Sequence, residues 1–299
     1  MKIKLLLLTL ICLISSVAQA TTPKSIIVFG DSFTDSGNLY YLSGEPSENP
    51  WFTNGRIGDG PNWADYLAEY YKHVPPMKAS SYGGTNYAIG GADSSFGPGV
   101  WGLGSTGLQV TQYLSETTAI RGEGHILYTY WVGGNDILAM QELSGTINNI
   151  SIQLQMLIDA GAKHFLIGNM IPIGLTPDGL AGGGGFNPYG ISSAELNSLS
   201  ASYNEALMEL LNEIKCNHPS VYFYFQDNHQ LLLDVLSDHL SYGFENITEP
   251  VTWYGGDPEV SLWWDGVHAT SKYQALIAER SFNVIRHHKG GLRCMFADE

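Results

Sequence analysis

Short apolar runs alternate with helical patterns along nearly the whole chain, and this alternation limits the folds open to it more than any other feature. Runs at 25–29, 85–89, 126–132, 163–168 and 221–225 are rich in β-branched and aromatic residues and are of strand length. Helical patterns lie between them. Pro61 followed by Trp63, Tyr66, Leu67, Tyr70 and Tyr71 predicts a helix with proline in its first turn. Ile147, Ile150, Ile152, Leu154, Leu157 and Ile158 predict a second, more apolar one. Over 193–214, Leu196, Leu199, Tyr203, Leu207, Leu210, Leu211 and Ile214 recur at three and four residues and mark one buried stripe. A last helix is expected over 270–285. Parallel strands must be joined by crossovers, which are usually helices, so this order favours an α/β fold with a parallel sheet covered on both faces. In such sheets active sites gather at the carboxyl ends of the strands.

The first twenty residues carry Lys2 and Lys4, an apolar run over 5–14 and then Ala18-Gln19-Ala20. That is the layout of a secretory signal peptide, with Thr21 as the new N-terminus. The apolar run is too short for a transmembrane anchor, which needs about 20 residues. Cys12 lies too deep within it, behind Ile11, to be a lipoprotein anchor. We therefore expect a signal peptide over 1–20, one domain over 21–299, and a protein exported to the periplasm or the cell exterior.

The formal net charge is −15, and loss of the two leader lysines leaves the remainder more acidic still. Such a surface repels nucleic acid and gives no electrostatic grip on anionic membranes. Cys216 and Cys294 are the cysteines outside the leader. In an oxidising compartment they either form one bridge or stay as two thiols, and their spacing matches no zinc pattern.

Chemistry is concentrated in a few segments. The first apolar run leads into Gly30-Asp31-Ser32-Phe33-Thr34-Asp35-Ser36-Gly37-Asn38, so Ser32 sits just past a strand end, where an open sheet binds its substrates. Near the other end, Trp264-Asp265-Gly266-Val267-His268 places a carboxylate three residues before a histidine, a spacing found at none of the other eight of the 9 histidines. A hydroxyl is a poor nucleophile at neutral pH. It needs an imidazole to take its proton, and the imidazole needs a carboxylate to fix its tautomer and stabilise its charge. Acyl transfer further needs donors aimed at the oxyanion. Two segments following strands can supply them: 86–92, containing Gly90-Gly91, and Gly133-Gly134-Asn135-Asp136.

In this order the four segments resemble the blocks of the GDSL lipases and esterases, also called SGNH hydrolases. Gly30-Asp31-Ser32-Phe33 matches the first block, with Phe33 where the name has Leu. Gly91 matches the second, Asn135 the third, and Asp265 and His268 the last. The resemblance implies Ser32 as nucleophile, His268 as general base and acid, Asp265 as its orienter, and an oxyanion hole made by Ser32 N–H, Gly91 N–H and the Asn135 amide. It also implies a three-layer α/β/α flavodoxin-like domain with a mainly parallel five-stranded sheet. No metal or other cofactor is required. The ordinary α/β-hydrolase alternative needs a Gly-x-Ser-x-Gly elbow, which is absent from the sequence.

Other residues receive structural readings. Asp31 and Asp136, adjacent to Ser32 and Asn135, are expected to brace their turns. Asn54-Gly55-Arg56 is read as a turn with a structural arginine, and Arg286, His287, His288 and Lys289 as cations at a helix end, where they meet the dipole. Trp263 and Trp264, just ahead of Asp265, are candidates for an acyl-pocket wall. Most other tryptophans, Trp101 among them, default to packing. The glycine run 182–185 has no following Lys and Ser/Thr and so is not a P-loop; it is either a flap or a plain surface loop.

Residues 30–38 and Asn54-Gly55-Arg56 are similar to those of secreted bacterial lipolytic members. That implies a lipid ester substrate, of the lysophospholipase or phospholipase A type, with acyltransferase side activity and transient contact with a membrane or micelle surface. A carbohydrate or cell-wall O-acetyl esterase is the alternative, since the same machinery serves many esters. The alternative of another class is a non-catalytic lipid or glycan binder.

Overall fold

In the computed structural model, the structure describes residues 22–44, 51–117, 126–287, 292 and 294. The proposed leader over 1–20 lies outside them, as do His288 and Lys289. The strands are β1 (Ser25–Gly30), β2 (Phe52–Thr53), β3 (Arg56–Ile57), β4 (Ile126–Trp131), β5 (His164–Gly168) and β6 (Tyr222–Gln226). The helices are α1 (Asn38–Ser43), α2 (Trp63–Tyr70), α3 (Thr106–Glu116), α4 (Gly134–Leu138), α5 (Leu143–Asp159), α6 (Pro177–Ala181), α7 (Ser193–Asn217), α8 (Asn228–Ser237), α9 (Val251–Tyr254) and α10 (Ser271–His287).

The central sheet has the order β1-β4-β5-β6, every pair parallel. Val28, Phe29, Tyr128, Phe165 and Phe223 are buried, as expected of strands covered on both faces. Helices α2 and α10 pack together, with α10 on β6, while α3, α5 and α7 form a second contiguous layer. The buried side of α7 consists of Leu196, Tyr203, Leu207, Leu210, Leu211 and Ile214, the stripe read from the sequence, with Leu199 packed at its margin.

The fold is the expected three-layer α/β arrangement, but the sheet has four strands rather than five. The segment 85–89 does lie along the free side of β1: Val28 N–H donates to the Thr85 carbonyl, and Tyr87 N–H to the Val28 carbonyl. It makes only isolated bridges, through Asn86. The ladder is interrupted at Gly30, whose N–H donates to Gln109 Oε1 at 2.9 Å instead of to the next carbonyl of the segment, while Gln109 Nε2 donates to the Gly30 carbonyl. The Asn86 side chain meanwhile ties the segment to the Ser32 turn, its Nδ2 donating to the Thr34 carbonyl and the Ser36 hydroxyl. In position the segment still takes the second-strand place of the flavodoxin-like order.

Pro61 also differs from expectation. It precedes the cap of α2 rather than filling its first turn. Asn62 is the N-cap, accepting from Ala64 and Asp65 N–H while Asp65 reaches back to Asn62 N–H, a complete capping box. Asp65 also takes the Arg56 guanidinium at 2.7 Å, so Arg56 ties the β2–β3 turn to α2, the structural role expected of it.

Cys216 and Cys294 are bonded to each other across a separation of 78 residues. The bridge fastens the C-terminal segment, whose Leu292 N–H donates to the Phe223 carbonyl of β6, onto the end of α7. Cross-linking a long loop restricts the unfolded chain. Replacing Cys294→Ser should therefore lower unfolding free energy by about 2–4 kcal/mol in urea titrations, and reductant should have the same effect on the unmodified protein but none on the variant.

Candidate active site

The register of the sheet aligns Gly30 with Trp131 and Gly168 with Gln226 at the carboxyl ends of the strands. Ser32 follows β1 by two residues, Gly134 and Asn135 follow β4, and Met170 and Ile171 follow β5. All of them open onto one pocket of about 340 Å³.

The turn after β1 is held by its own acids. The Asp31 carbonyl accepts Thr34 and Asp35 N–H, and its carboxylate accepts Phe33 N–H at 3.1 Å. Asp35 is buried, and its two oxygens accept the N–H groups of Gly37, Asn38, Leu39 and Gly90. It thereby caps α1 and draws the Gly90-Gly91 loop to the Ser32 turn. Burial raises the Asp35 pKa from the ordinary carboxylate value in spite of these four donors.

The Asp265 turn works by the same economy. Oδ1 accepts Val267 N–H at 2.9 Å and His268 N–H at 2.7 Å, while Oδ2 meets His268 Nδ1 at 2.7 Å. A spacing of three lets one carboxylate cap its own turn and hold the ring that the turn carries. The other ring nitrogen, Nε2, is 2.7 Å from Ser32 Oγ. The structure thus brings Ser32, His268 and Asp265 into one hydrogen-bonded line. Asp265 and His268 are both buried. Burial pulls the His268 pKa down, but the charge and hydrogen bond of Asp265, with the charges of Asp31 and Asp178, outweigh it and hold the pKa above 6.5. Burial pushes the Asp31 pKa up to about 7, against the opposing pull of its bond from Phe33 N–H and of the His268 charge.

Gly91 and Asn135 also face the pocket. Gly91 has φ +79°, a left-handed conformation that calls for glycine, and Leu103 Cδ1 lies 2.8 Å from where a Cβ would be. Among the described residues neither Ser32 N–H nor Gly91 N–H has a hydrogen-bond partner. Asn135 Nδ2 donates one hydrogen to the Ala92 carbonyl at 2.9 Å and keeps its second. Asp136 turns away from the pocket to bind Ser94 and Thr146, bracing α4 against the Ala92 loop.

Trp263 and Trp264 do not wall the pocket. Trp263 is buried, with its indole N–H on the Ile247 carbonyl, and neither residue reaches the lining. Trp263 is packed in the core beside the Asp265 turn, and Trp264 is half-buried outside the pocket. The aromatic lining comes instead from Phe33, Trp101, Trp131 and Phe186.

Phe186 belongs to the loop after the glycine run, which is neither remote nor a phosphate cradle. Its ring stands edge-on to His268 at 5.1 Å, and Gly185 lines the pocket beside it. The loop is fastened by Asp178, which the sequence did not single out. Asp178 N–H donates to the Gly266 carbonyl, and its Oδ2 accepts Phe186 N–H at 2.8 Å. The carboxylate lies so close to Gly184 and Gly266 that a Cβ on either would collide with it. Its Oδ1 is buried without a partner among the described residues. Burial raises the Asp178 pKa, with Asp265 adding to the shift.

Comparisons with known proteins place the chain in a family and a fold. The model of a family described as GDSL-like Lipase/Acylhydrolase matches residues 26–281. A GDSL esterase/lipase of Arabidopsis thaliana is 27% identical over 342 residues, covering 90% of this chain and 86% of that protein. A second from the same plant is 26% identical over 339 residues, covering 92% of each. Among solved structures, the acetylxylan esterase Axe2 from Geobacillus stearothermophilus superposes with a TM-score of 0.51 at 13% identity, covering 89% of this chain and 96% of that one, a likeness of fold.

Because the charge of Asp178 helps to hold the proton on His268, Asp178→Asn should lower the pH at which the His268 ring protonates. Following the imidazole resonances of the resting protein by NMR checks this, and an unmoved or raised midpoint would remove Asp178 from that role.

Proposed function

This chain belongs to the GDSL-like lipase/acylhydrolase family and is a carboxylic ester hydrolase, and from that premise we propose that it cleaves lipid acyl esters outside the cytoplasm through a Ser32–His268–Asp265 triad. The observation that carries the reading is the 2.7 Å contact between Ser32 Oγ and His268 Nε2, with Asp265 on the far ring nitrogen and unpartnered N–H groups beside the hydroxyl.

In the proposed reaction Ser32 Oγ attacks the ester carbonyl carbon as its proton passes to His268 Nε2. Asp265 accepts a hydrogen bond from Nδ1–H throughout, with the proton staying on the ring, which fixes the tautomer and stabilises the imidazolium. Negative charge then builds on the carbonyl oxygen, facing Ser32 N–H, Gly91 N–H and the second hydrogen of Asn135 Nδ2. Collapse breaks the bond to the alcohol, which leaves with the proton from Nε2. Water attacks the acyl-Ser32, gives its proton to His268, and the carboxylic acid departs as the hydroxyl is restored. If an alcohol takes the place of water, the same steps transfer the acyl group.

The lipid reading is supported by the pocket. Leu39, Ile57, Leu103, Leu138, Ile171 and Ile173 line it. Its volume is at the lower end of the ~300–1,000 Å³ range of small-molecule sites, suited to one acyl chain, whereas an acetyl group would occupy a small part of it. Export is supported by the leader-like 1–20 segment and by the Cys216–Cys294 bond, which needs an oxidising compartment to persist.

Ser32→Ala should abolish turnover and labelling by a fluorophosphonate while leaving the circular dichroism spectrum unchanged; retained labelling would shift the nucleophile elsewhere. Offered lysophospholipid and an acetylated glycan, the enzyme should release fatty acid faster than acetate, and the opposite preference would defeat the lipid reading. A protonated His268 cannot act as base, and its pKa is raised. kcat/KM should therefore fall on the acid side with a midpoint above 6.5, and an acid optimum near pH 4 would contradict a neutral imidazole base.

A further inference from the structure

An asparagine can serve an oxyanion hole only in one of its two amide orientations. With Nδ2 toward the substrate it donates; turned by half a revolution it presents Oδ1, which repels the developing charge. The two orientations have nearly the same shape, so packing alone does not choose between them, and the neighbours' hydrogen bonds must.

Here two neighbours bear on Asn135. The Ala92 carbonyl can only accept, and it takes Nδ2 at 2.9 Å. The Trp101 indole N–H can only donate, and it reaches Oδ1 at 2.9 Å. A reversed amide would set carbonyl against carbonyl and N–H against N–H. Donation to Oδ1 also draws electron density from the amide and makes the remaining Nδ2 hydrogen a better donor, since linked hydrogen bonds polarise one another.

Trp101 is itself held in place. Asp93, buried beneath its loop, accepts Ser95 N–H and the Ser95 hydroxyl on Oδ1 and Val100 N–H on Oδ2. Gly102 and Gly104 N–H close on the Gly99 and Pro98 carbonyls. The indole thereby lies over Gly91, with Cδ1 3.6 Å from where a Cβ of that glycine would be. It is nonetheless 37% exposed, which a residue kept only for packing would not need to be.

We propose that Trp101 is a positioning residue for ester hydrolysis: its indole N–H fixes the Asn135 amide with Nδ2 toward the oxyanion and strengthens it as a donor. The proposal rests on the reading of Asn135 as an oxyanion-hole donor. The Trp101 ring lines the pocket, but its N–H touches no reacting atom and acts through Asn135, so the contribution of the N–H falls on kcat and vanishes when Asn135 is gone.

The test is a double-mutant cycle with a short-chain p-nitrophenyl ester. Trp101→Phe keeps an aromatic wall and removes the N–H, and should lower kcat about three- to tenfold, the worth of one hydrogen bond, with KM within about twofold. Asn135→Ala should lower kcat by about 10² to 10³. The double variant should equal Asn135→Ala alone. If Trp101→Phe folds poorly, replacing Trp101 with benzothienylalanine, which has sulfur in place of the N–H, carries the same readout. A loss of the same factor in both Asn135 backgrounds, a loss confined to KM, or no loss would overturn the proposal. An Asn135→Ala enzyme with nearly full kcat would defeat the oxyanion-hole reading and this inference with it. Full cost at Asn135 with a silent Trp101→Phe would defeat this inference alone.

Discussion

The buried Asp265 carboxylate organises the site. A carboxylate withdrawn from water must spend its lone pairs on donors, and Asp265 spends them on two backbone N–H groups of its own turn and on the ring nitrogen of His268. Shape and orientation are therefore set by one group. The ring cannot rotate without undoing its bond to the carboxylate, and the carboxylate cannot move without opening the turn. The result extends across 236 residues of sequence, because Nε2 of the fixed ring meets Ser32 Oγ at the end of β1.

The facing loops follow the same rule. Asp35 fastens the Gly90-Gly91 loop to the Ser32 turn, Asp136 fastens the Ala92 loop to α4, and Asp178 fastens the Phe186 loop to the Asp265 turn. Each acid replaces solvent around backbone N–H groups that a loop at a strand end cannot pair in a ladder. The apolar sheet below supplies position, and these carboxylates supply precision. The acidic composition of the chain is thus partly internal, spent on holding loops, and only partly a property of the surface.

Features governed by local rules were legible in the sequence. The three- and four-residue spacing over 193–214 yields α7, and the apolar runs yield β1, β4, β5 and β6, because periodicity and burial on both faces are written in neighbouring residues. Ser32, Gly91, Asn135, Asp265 and His268 are named together by the resemblance to the four GDSL blocks, and all of them line or adjoin the same pocket. What escaped depends on partners far away in sequence. The run 85–89 has strand composition, yet the Gly30 N–H it would pair with is taken by the Gln109 side chain of α3. Trp263 and Trp264 adjoin Asp265 in sequence but do not reach the pocket, whereas Trp101, on an aperiodic glycine-rich loop, reaches Asn135. Asp178 lies two residues past Thr176 with no pattern to mark it, and its worth comes from Gly184 and Gly266 leaving room for a carboxylate. The pairing of Cys216 with Cys294 was one of two open readings until the C-terminal segment was seen against β6.

Three carboxylates around one buried imidazole set a limit on how basic His268 becomes. Asp265, Asp31 and Asp178 all favour its protonated form, and burial opposes them. A base held too strongly protonated would be useless near neutrality, since catalysis is best served by a pKa close to the working pH. Asp31 and Asp178 moderate this because burial raises their own pKa values, that of Asp31 to about 7. As the solution becomes more acidic Asp31 takes up a proton itself, and its share of the negative charge that sustains the imidazolium diminishes. Asp265 is bound to the ring directly and to two N–H groups of its own turn, whereas Asp31 and Asp178 act on the ring through charge alone. The buried acids next to the site therefore temper the base as well as brace the loops that carry it.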